Sequence, residues 1–412
     1  MFAEQVLRIV AALFVGIYVA RYLGPEQFGI YSYAAAFVAL FGAVAGLGLN
    51  GIVVRDLVNH PDNRDVYLGT AFWLKLAGAL LTLGLLAIAV QYTGNDAKTN
   101  LYIFIIASGL IFQSFDVVDF YFQSKVLSKY VSICRLVQLA LSSALKLYFI
   151  FIQAELLWFV LVSLIDQISL ALALAFAYWR QKIGSFFGRF DRSTAKLMLR
   201  NSWPLILSGV AISLYMRIDQ IMIKEMLGEK EVGLYSAAIR LSEAWYFVPV
   251  IIASSLFPAI LNAKKIDREL FNKRLQNLYR TMVYFAIGVA LPVTFMSESI
   301  VIALYGVHYQ DAGVILSIHI WAGLFVGLGV VNAQWFLAEN LQNIATRNTL
   351  IGAATNVVLN YILIPIYGLI GAAIATFISY GISAYISLLL NVQTRDRFFT
   401  ISGSFIPIKN GR

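Results

Sequence analysis

Apolar runs of about 18–25 residues, the length a helix needs to cross roughly 30 Å of hydrocarbon, recur along the whole chain between short polar breaks. Twelve such spans are predicted, near residues 2–21, 30–54, 68–91, 101–123, 131–152, 156–179, 204–223, 234–262, 279–296, 312–338, 349–366 and 369–392. The ninth and tenth are separated by a broken stretch, 296–312. The first, "FAEQVLRIVAALFVGIYVARYLG", opens with an acid and lacks a small-residue cleavage site, so it reads as a first helix and not as a secretion signal.

Composition agrees with the pattern. Of 412 residues, 60% are hydrophobic and 13% charged, against about 25% charged in a soluble domain. The chain is expected to be an all-α integral membrane protein. The net charge of +9 would suit a nucleic-acid binder, but its placement does not. Of the 31 Lys and Arg residues, 22 fall on one side of the predicted spans, which includes the C-terminal tail. The opposite loops hold only Arg21, Lys98, Lys224 and Lys230, and five lie in or near helices: Arg8, Lys75, Lys146, Arg217 and Arg240. By the positive-inside rule the crowded side is cytoplasmic, and both termini with it. The basic excess then reflects topology and contact with anionic lipid headgroups, with no nucleic-acid partner. The single cysteine, Cys134, can form no internal disulfide, and no metal-ligand spacing surrounds it. No cofactor is expected.

Residues 22–34, "YLGPEQFGIYSYA", and 226–238, "MLGEKEVGLYSAA", share Leu-Gly, a second Gly, Tyr-Ser and Ala in one register, 204 positions apart. Both fall at an outer turn, where glycine's tolerance of positive φ is useful. Six spans separate the copies, and an even number preserves orientation. The halves are therefore expected to be parallel repeats about an axis along the membrane normal, two six-helix lobes around a central cavity. The domains expected are an N-terminal lobe, 1–179, a basic cytoplasmic linker, 180–201, a C-terminal lobe, 202–392, and a cytoplasmic tail, 393–412. The second lobe has polar, basic residues before its first helix whereas the first starts at Met1, so a longer natural N-terminus is expected.

Several local signals are structural. "GLGLNG", 46–51, has the spacing of a dinucleotide fingerprint but lacks the strand that motif needs, so close packing is expected there. Small-residue pairs four apart, Gly42/Gly46 and Gly371/Ala375, suit close helix contacts. Pro249, Pro258 and Pro292 should kink the eighth and ninth spans. "AKKIDRELFNKRLQNLYR" has helical amphipathic spacing and is expected along the inner interface. His60, His308 and His319 form no ligand set, and His319 reads as a satisfied buried histidine.

Charges inside the spans carry the candidate chemistry, because each costs at least a few kcal/mol in hydrocarbon. At about 1.5 Å per residue, Lys75 lies ~10 Å and Asp116 ~12 Å from the inner side, an easy pair across one hairpin. Lys146 and Asp166 lie ~9 and ~15 Å from the outer side, in reach if the lysine stretches. Asp219 and Arg240 lie ~8–9 Å from that side, with Arg217 and Glu243 following at ~10–14 Å. Arg217 and Asp219 are two apart and point to different sides of their helix. At the 204 offset the charges at 217, 219, 240 and 243 align with Leu13, Val15, Ala36 and Ala39, so the repeated fold does not itself require them. Neutralising ion pairs and a cavity lining are both open for each residue.

"YLGPEQFGIYSYA", "RIDQIMIKEMLGEKEVGLYSAAIRLSEAWYFVP", "LYGVHYQDAGVILSI" and "YGLIGAAIATFIS" resemble polysaccharide flippases, the O-antigen and capsule-repeat translocators of the multidrug/oligosaccharidyl-lipid/polysaccharide exporter superfamily. The resemblance covers nearly the whole chain. It implies an alternating-access transporter, not an enzyme, that moves an undecaprenyl-diphosphate-linked oligosaccharide from the inner to the outer leaflet of a bacterial or archaeal plasma membrane. It further implies membrane lipids as surroundings and polysaccharide polymerase machinery as a candidate partner. In such a cavity Arg217, Arg240, Lys75 and Lys146 would receive the diphosphate, arginine gripping phosphate oxygens bidentately. Asp166, Asp219 and Glu243 are the candidate ion-coupling carboxylates. Trp245, Tyr246 and Tyr215 could stack on sugars or simply pack. A cation-exporting multidrug antiporter of the same superfamily is the alternative, although two deep arginines would repel its cargo. A membrane glycosyltransferase or polymerase is the enzyme alternative, but no outer loop holds paired carboxylates.

Overall fold

The computed structural model describes residues 2–181 and 184–405, with side chains from residue 8 onward. These residues are helical and contain no strand. Ten stretches among them are long and apolar enough to cross a membrane. Two of these, Arg8–Asn59 and Gln342–Leu390, run to 52 and 49 residues, and a crossing takes about 20. Each contains a glycine with positive φ, Gly24 (71°) or Gly368 (58°). Counting two crossings in each yields the twelve expected.

The chain forms two compact units, Met1–Ile221 and Met222–Arg412. The first contains α1 (Phe2–Gly46), α2 (Asn50–Asn59), α3 (Arg64–Ala89), α4 (Ala97–Phe112), α5 (Val117–Ser124), α6 (Ser128–Phe151), α7 (Leu156–Arg180) and most of α8 (Arg192–Met226). The second contains α9 (Glu229–Glu243), α10 (Phe247–Ile266), α11 (Arg268–Tyr305), α12 (Ala312–His319), α13 (Ala322–Ala338), α14 (Gln342–Ala384) and α15 (Val392–Ser402).

Breaks occur where the backbone or a polar cap demands them. Gly24 (φ 71°, ψ 170°) and Gly228 (φ 118°, ψ −176°) occupy equivalent places in the 204-residue repeat. Their conformation is closed to other L residues. Pro25 then takes the first helical position, where its missing N–H costs nothing. Asp96 caps α4 by accepting from Thr99 N at 2.8 Å. Asp267 caps α11 through Glu269 N and Leu270 N, and Asn391 caps α15 through Gln393 N.

Four expectations shift in detail. The eighth span is interrupted: α9 ends at Glu243 and α10 begins at Phe247, because Pro249 has no N–H to give the carbonyl four residues earlier, that of Trp245, and its ring crowds it. The ninth runs on to Tyr305 before Gly306 stops it. The basic amphipathic segment is not separate, since its residues from Arg268 form the first turns of the 38-residue α11. At ~1.5 Å per residue that helix exceeds the hydrocarbon thickness, so one end extends past it. Finally, Gly42 and Gly46 face open space. The tight contact on that helix is made by its neighbours, with Gly209 against Ala43 and Gly78 against the Ala45 carbonyl. Gly371 does sit tightly, against the Leu363 carbonyl, and Ala375 is buried.

The first unit's core joins Leu68, Phe72, Phe120, Phe122 and Tyr178. Part of the basic linker belongs to it. Phe186 packs edge-on against Tyr178 at 5.3 Å, and Phe187 against Phe72 at 5.1 Å. A Cβ on Gly69 would collide with the carbonyls of Phe186 and Arg189, so only glycine lets this segment seat on α3. Trp73 Nε1 donates to the Phe187 carbonyl (2.8 Å), and the Asp191 N–H to Thr70 Oγ1 (3.1 Å). Asp191 then caps α8, accepting from the Ser193 hydroxyl and from the Thr194 hydroxyl and N–H. Those donors hold its carboxyl down at about 2. "GLGLNG" forms the turn between α1 and α2, where Gly48 (φ 60°) abuts Leu205 of α8, the close packing expected.

The second unit's core joins Phe271, Tyr279, Leu328, Trp335 and Phe336. Within it Tyr279 donates to Asn332 Oδ1 at 2.7 Å. α15 is held there by Arg397, whose guanidinium lies 5.0 Å from the Trp335 ring and donates to Asn272 Oδ1 at 2.8 Å.

Candidate functional site: buried charges and a neutral cavity

Among the described residues of the first unit, three charge clusters join side chains of different elements. Lys75 of α3 is 3% exposed and its ammonium sits 2.9 Å from Asp116 Oδ2, in the turn between α4 and α5. It also lies 5.1 Å from the centre of the Phe120 ring. Lys146 of α6 donates to Ser142 Oγ at 2.8 Å, and Ser142 donates to Asp166 Oδ2 of α7 at 2.9 Å. The Lys146–Asp166 separation is 3.5 Å. Both pairs are those the spacing suggests. The other oxygen of Asp166, Oδ1, is buried with no hydrogen-bond partner.

The third cluster is invisible to span counting. Arg135 donates to Asp119 Oδ2 at 2.7 Å, and Gln123 to Asp119 Oδ1 at 2.9 Å. By sequence Arg135 is only one more inner-side cation, and Asp119 only a neighbour of Asp116. Their signal is the opposite charge at the facing ends of adjacent helices.

Asp219, on α8, is 3% exposed and its Oδ1 accepts the Gln220 N–H at 2.8 Å. Arg217, two residues earlier, is half-buried. In the second unit Arg240 is half-buried on α9. Glu243, also half-buried, ends that helix. His319 is the satisfied buried histidine expected, with Nδ1 2.8 Å from Ser242 Oγ. Trp245 and Tyr246 pack edge-on at 5.6 Å, and Trp245 also against Phe285 at 5.6 Å.

The first unit also contains a cavity of about 520 Å³. Its walls come from α1 (Ala35, Val38, Ala39, Gly42, Ala43), from α4 and the turn after it (Ile106, Gly109, Leu110, Gln113), from α7 (Ser163, Gln167) and from α8 (Gly209, Ile212, Ser213). None of the seven candidate charged residues lines it. Its polar groups are two amides and two hydroxyls, drawn from three segments remote in sequence, which is why no motif announces them.

The sequence model of the family described as polysaccharide biosynthesis protein matches residues 2–264, and that described as lipid II flippase MurJ matches residues 232–405. "Probable flippase AglR" of Haloferax volcanii is 25% identical, over 98% of this chain and 85% of its own. "Capsular polysaccharide biosynthesis protein CapF" of Staphylococcus aureus is 22% identical, over 92% of this chain and 94% of its own. Among solved structures, a lipid II flippase MurJ in an inward closed conformation superimposes with a TM-score of 0.78 at 17% identity, covering 98% of this chain and 90% of that one. With a single family model spanning well over half of its length, this chain belongs to the polysaccharide biosynthesis protein family.

Proposed function

We propose that this protein is a flippase that carries an oligosaccharide on a polyprenyl diphosphate from the inner to the outer leaflet of a cell membrane, with both termini cytoplasmic. The observation that carries the reading is the family match across residues 2–264, extended by the lipid II flippase match over residues 232–405. The names of the relatives point the same way. The cargo class follows from solvation, because a diphosphate and a glycan cannot cross hydrocarbon unaided whereas a prenyl tail can stay in lipid. Membrane lipids and the machinery that polymerises the delivered repeats are its proposed partners.

Arg217 and Arg240 are the proposed diphosphate contacts, since a guanidinium fork matches phosphate oxygens. Lys75 and Lys146 are further proposed contacts, each paired with a carboxylate, Asp116 at 2.9 Å and Asp166 at 3.5 Å. Asp166, Asp219 and Glu243 remain the proposed coupling carboxylates. Of these Asp166 has the clearest support, an unpartnered oxygen beside a lysine.

The test is translocation in vesicles that contain the purified protein and a lipid-linked oligosaccharide, read by lectin access from outside. Transport is expected from the native protein and not from Arg217→Ala or Arg240→Ala that insert normally. Export of cationic dyes without glycan translocation would replace this reading by the multidrug one. Unaltered transport in both variants would remove the arginines from the site.

A further inference from the structure

The cavity in the first unit has a composition that selects its ligand. Its volume, about 520 Å³, falls in the range of roughly 300–1,000 Å³ typical of small-molecule sites. No ionisable side chain lines it. Four hydrogen-bonding side chains do: Gln113, Ser163, Gln167 and Ser213. Ser163 shares a hydrogen bond with Tyr31 at 2.9 Å. Gln113, Gln167 and Ser213 make no side-chain hydrogen bond to another described residue, so two amides and a hydroxyl remain available to a guest.

Glycine makes room for this arrangement. A Cβ on Gly109 would press on Cγ of Gln167 at 2.9 Å, so the bare backbone of α4 admits that amide. A Cβ on Gly209 would press on Cβ of Ala43 at 2.9 Å, which lets α8 close the side of the cavity. The remaining wall is small and aliphatic.

Each charged or wholly apolar guest meets an obstacle here. A diphosphate finds no cation, and a metal ion or organic cation no carboxylate. A prenyl or acyl chain would cover the two amides without pairing them, which costs free energy for every unpaired polar group. An uncharged guest with hydroxyl and amide groups on a ring with C–H faces satisfies both the polar and the aliphatic lining. We infer that this cavity is a binding site for an uncharged sugar ring, separate from the arginines proposed for the diphosphate. The assignment rests on the flippase reading for its biological cargo, but the binding it describes does not.

The experiment uses the full-length protein in lipid nanodiscs with Cys134→Ala, which leaves no native cysteine. Ile212→Cys is introduced on α8, and Ala39→Cys separately on α1. The rate of maleimide labelling is followed with N,N′-diacetylchitobiose, pyrophosphate or geranylgeraniol present. The disaccharide slows labelling of both cysteines about threefold when present at roughly twice its dissociation constant, and the other two probes do not. Gln113→Leu or Gln167→Leu, each near the size of the native side chain, removes the protection.

Protection by pyrophosphate or by the prenol, none by the sugar, or protection that persists in both leucine variants overturns the assignment. So does failure of both cysteines to label, which would mark the cavity as closed. Translocation measured on the same preparation separates the two readings. Translocation without sugar protection overturns this site alone, while protection without translocation leaves it standing and overturns the flippase.

Discussion

Lys75 and Asp116 form an ion pair whose members are unequally buried: the ammonium is 3% exposed and the carboxylate 36%, at 2.9 Å. The asymmetry decides what each half is worth. Asp116→Asn strands a cation enclosed by protein, whereas Lys75→Met leaves a carboxylate that is more than one-third exposed. Removing one partner of a fully buried pair costs about 3–5 kcal/mol. Asp116→Asn should fall near the low end of that range, Lys75→Met well below it, and the double variant between wild type and Asp116→Asn. Thermal unfolding in a mild detergent ranks the three. Equal losses for the two single variants would contradict the unequal burial.

Gly24→Ala and Gly228→Ala test the repeated break. Nothing lies within 4 Å of a Cβ at position 24, so any loss there comes from the backbone and not from a clash. With φ of 71° and ψ of 170°, the substitution should cost about 1–3 kcal/mol. Gly24→Ala and Gly42→Ala form a matched pair, since both glycines face open space but only the first has positive φ. Thermal midpoints should fall for the first and stay for the second.

The Asp191 cap predicts a pH signature. Hydrogen bonds from Ser193 and Thr194 lower its carboxyl from 3.8 to about 2. A depressed carboxylate stabilises the fold above its unfolded value and loses that contribution as pH falls through the folded one. The native protein should therefore lose more stability than Asp191→Asn between pH 3.8 and about 2, and the two should run parallel above that window. Thermal midpoints across an acid series check the sign.

Asp166→Asn addresses coupling. Its unpartnered Oδ1, Ser142 and Lys146 form a compact site in which a carboxylate could gain or release a proton. The variant should insert normally and translocate at a rate that no longer responds to an imposed proton gradient across the vesicle. A gradient response equal to that of the native protein would exclude this residue as the carrier.

Much of the architecture is legible because hydrocarbon is a severe filter. Spans of the right length, the Lys75–Asp116 and Lys146–Asp166 pairs and the break at Gly24 and Gly228 all follow from length, depth and repeat spacing. Contacts made by small residues do not. Gly69 looks like any glycine in an apolar helix, and only the folded chain reveals that it admits Phe186 and Arg189. Gly42 and Gly46 have a contact-forming spacing, but their neighbours make the contact, since spacing alone does not say which face of a helix meets its partner. Gln113 and Gln167 could be noticed as amides in apolar spans. Their convergence on one cavity depends on helix packing that no local pattern encodes.

The segment 184–191 is covalently continuous with α8, yet its seat is the surface of α3 around Gly69, Thr70 and Trp73. A gene split between codons 181 and 184 would thus produce two polypeptides, the later one beginning with a peptide already shaped to grip the earlier one. Reassembly of such a bisected transporter would need no added dimerisation tag, and a bulky residue in place of Gly69 would disable it.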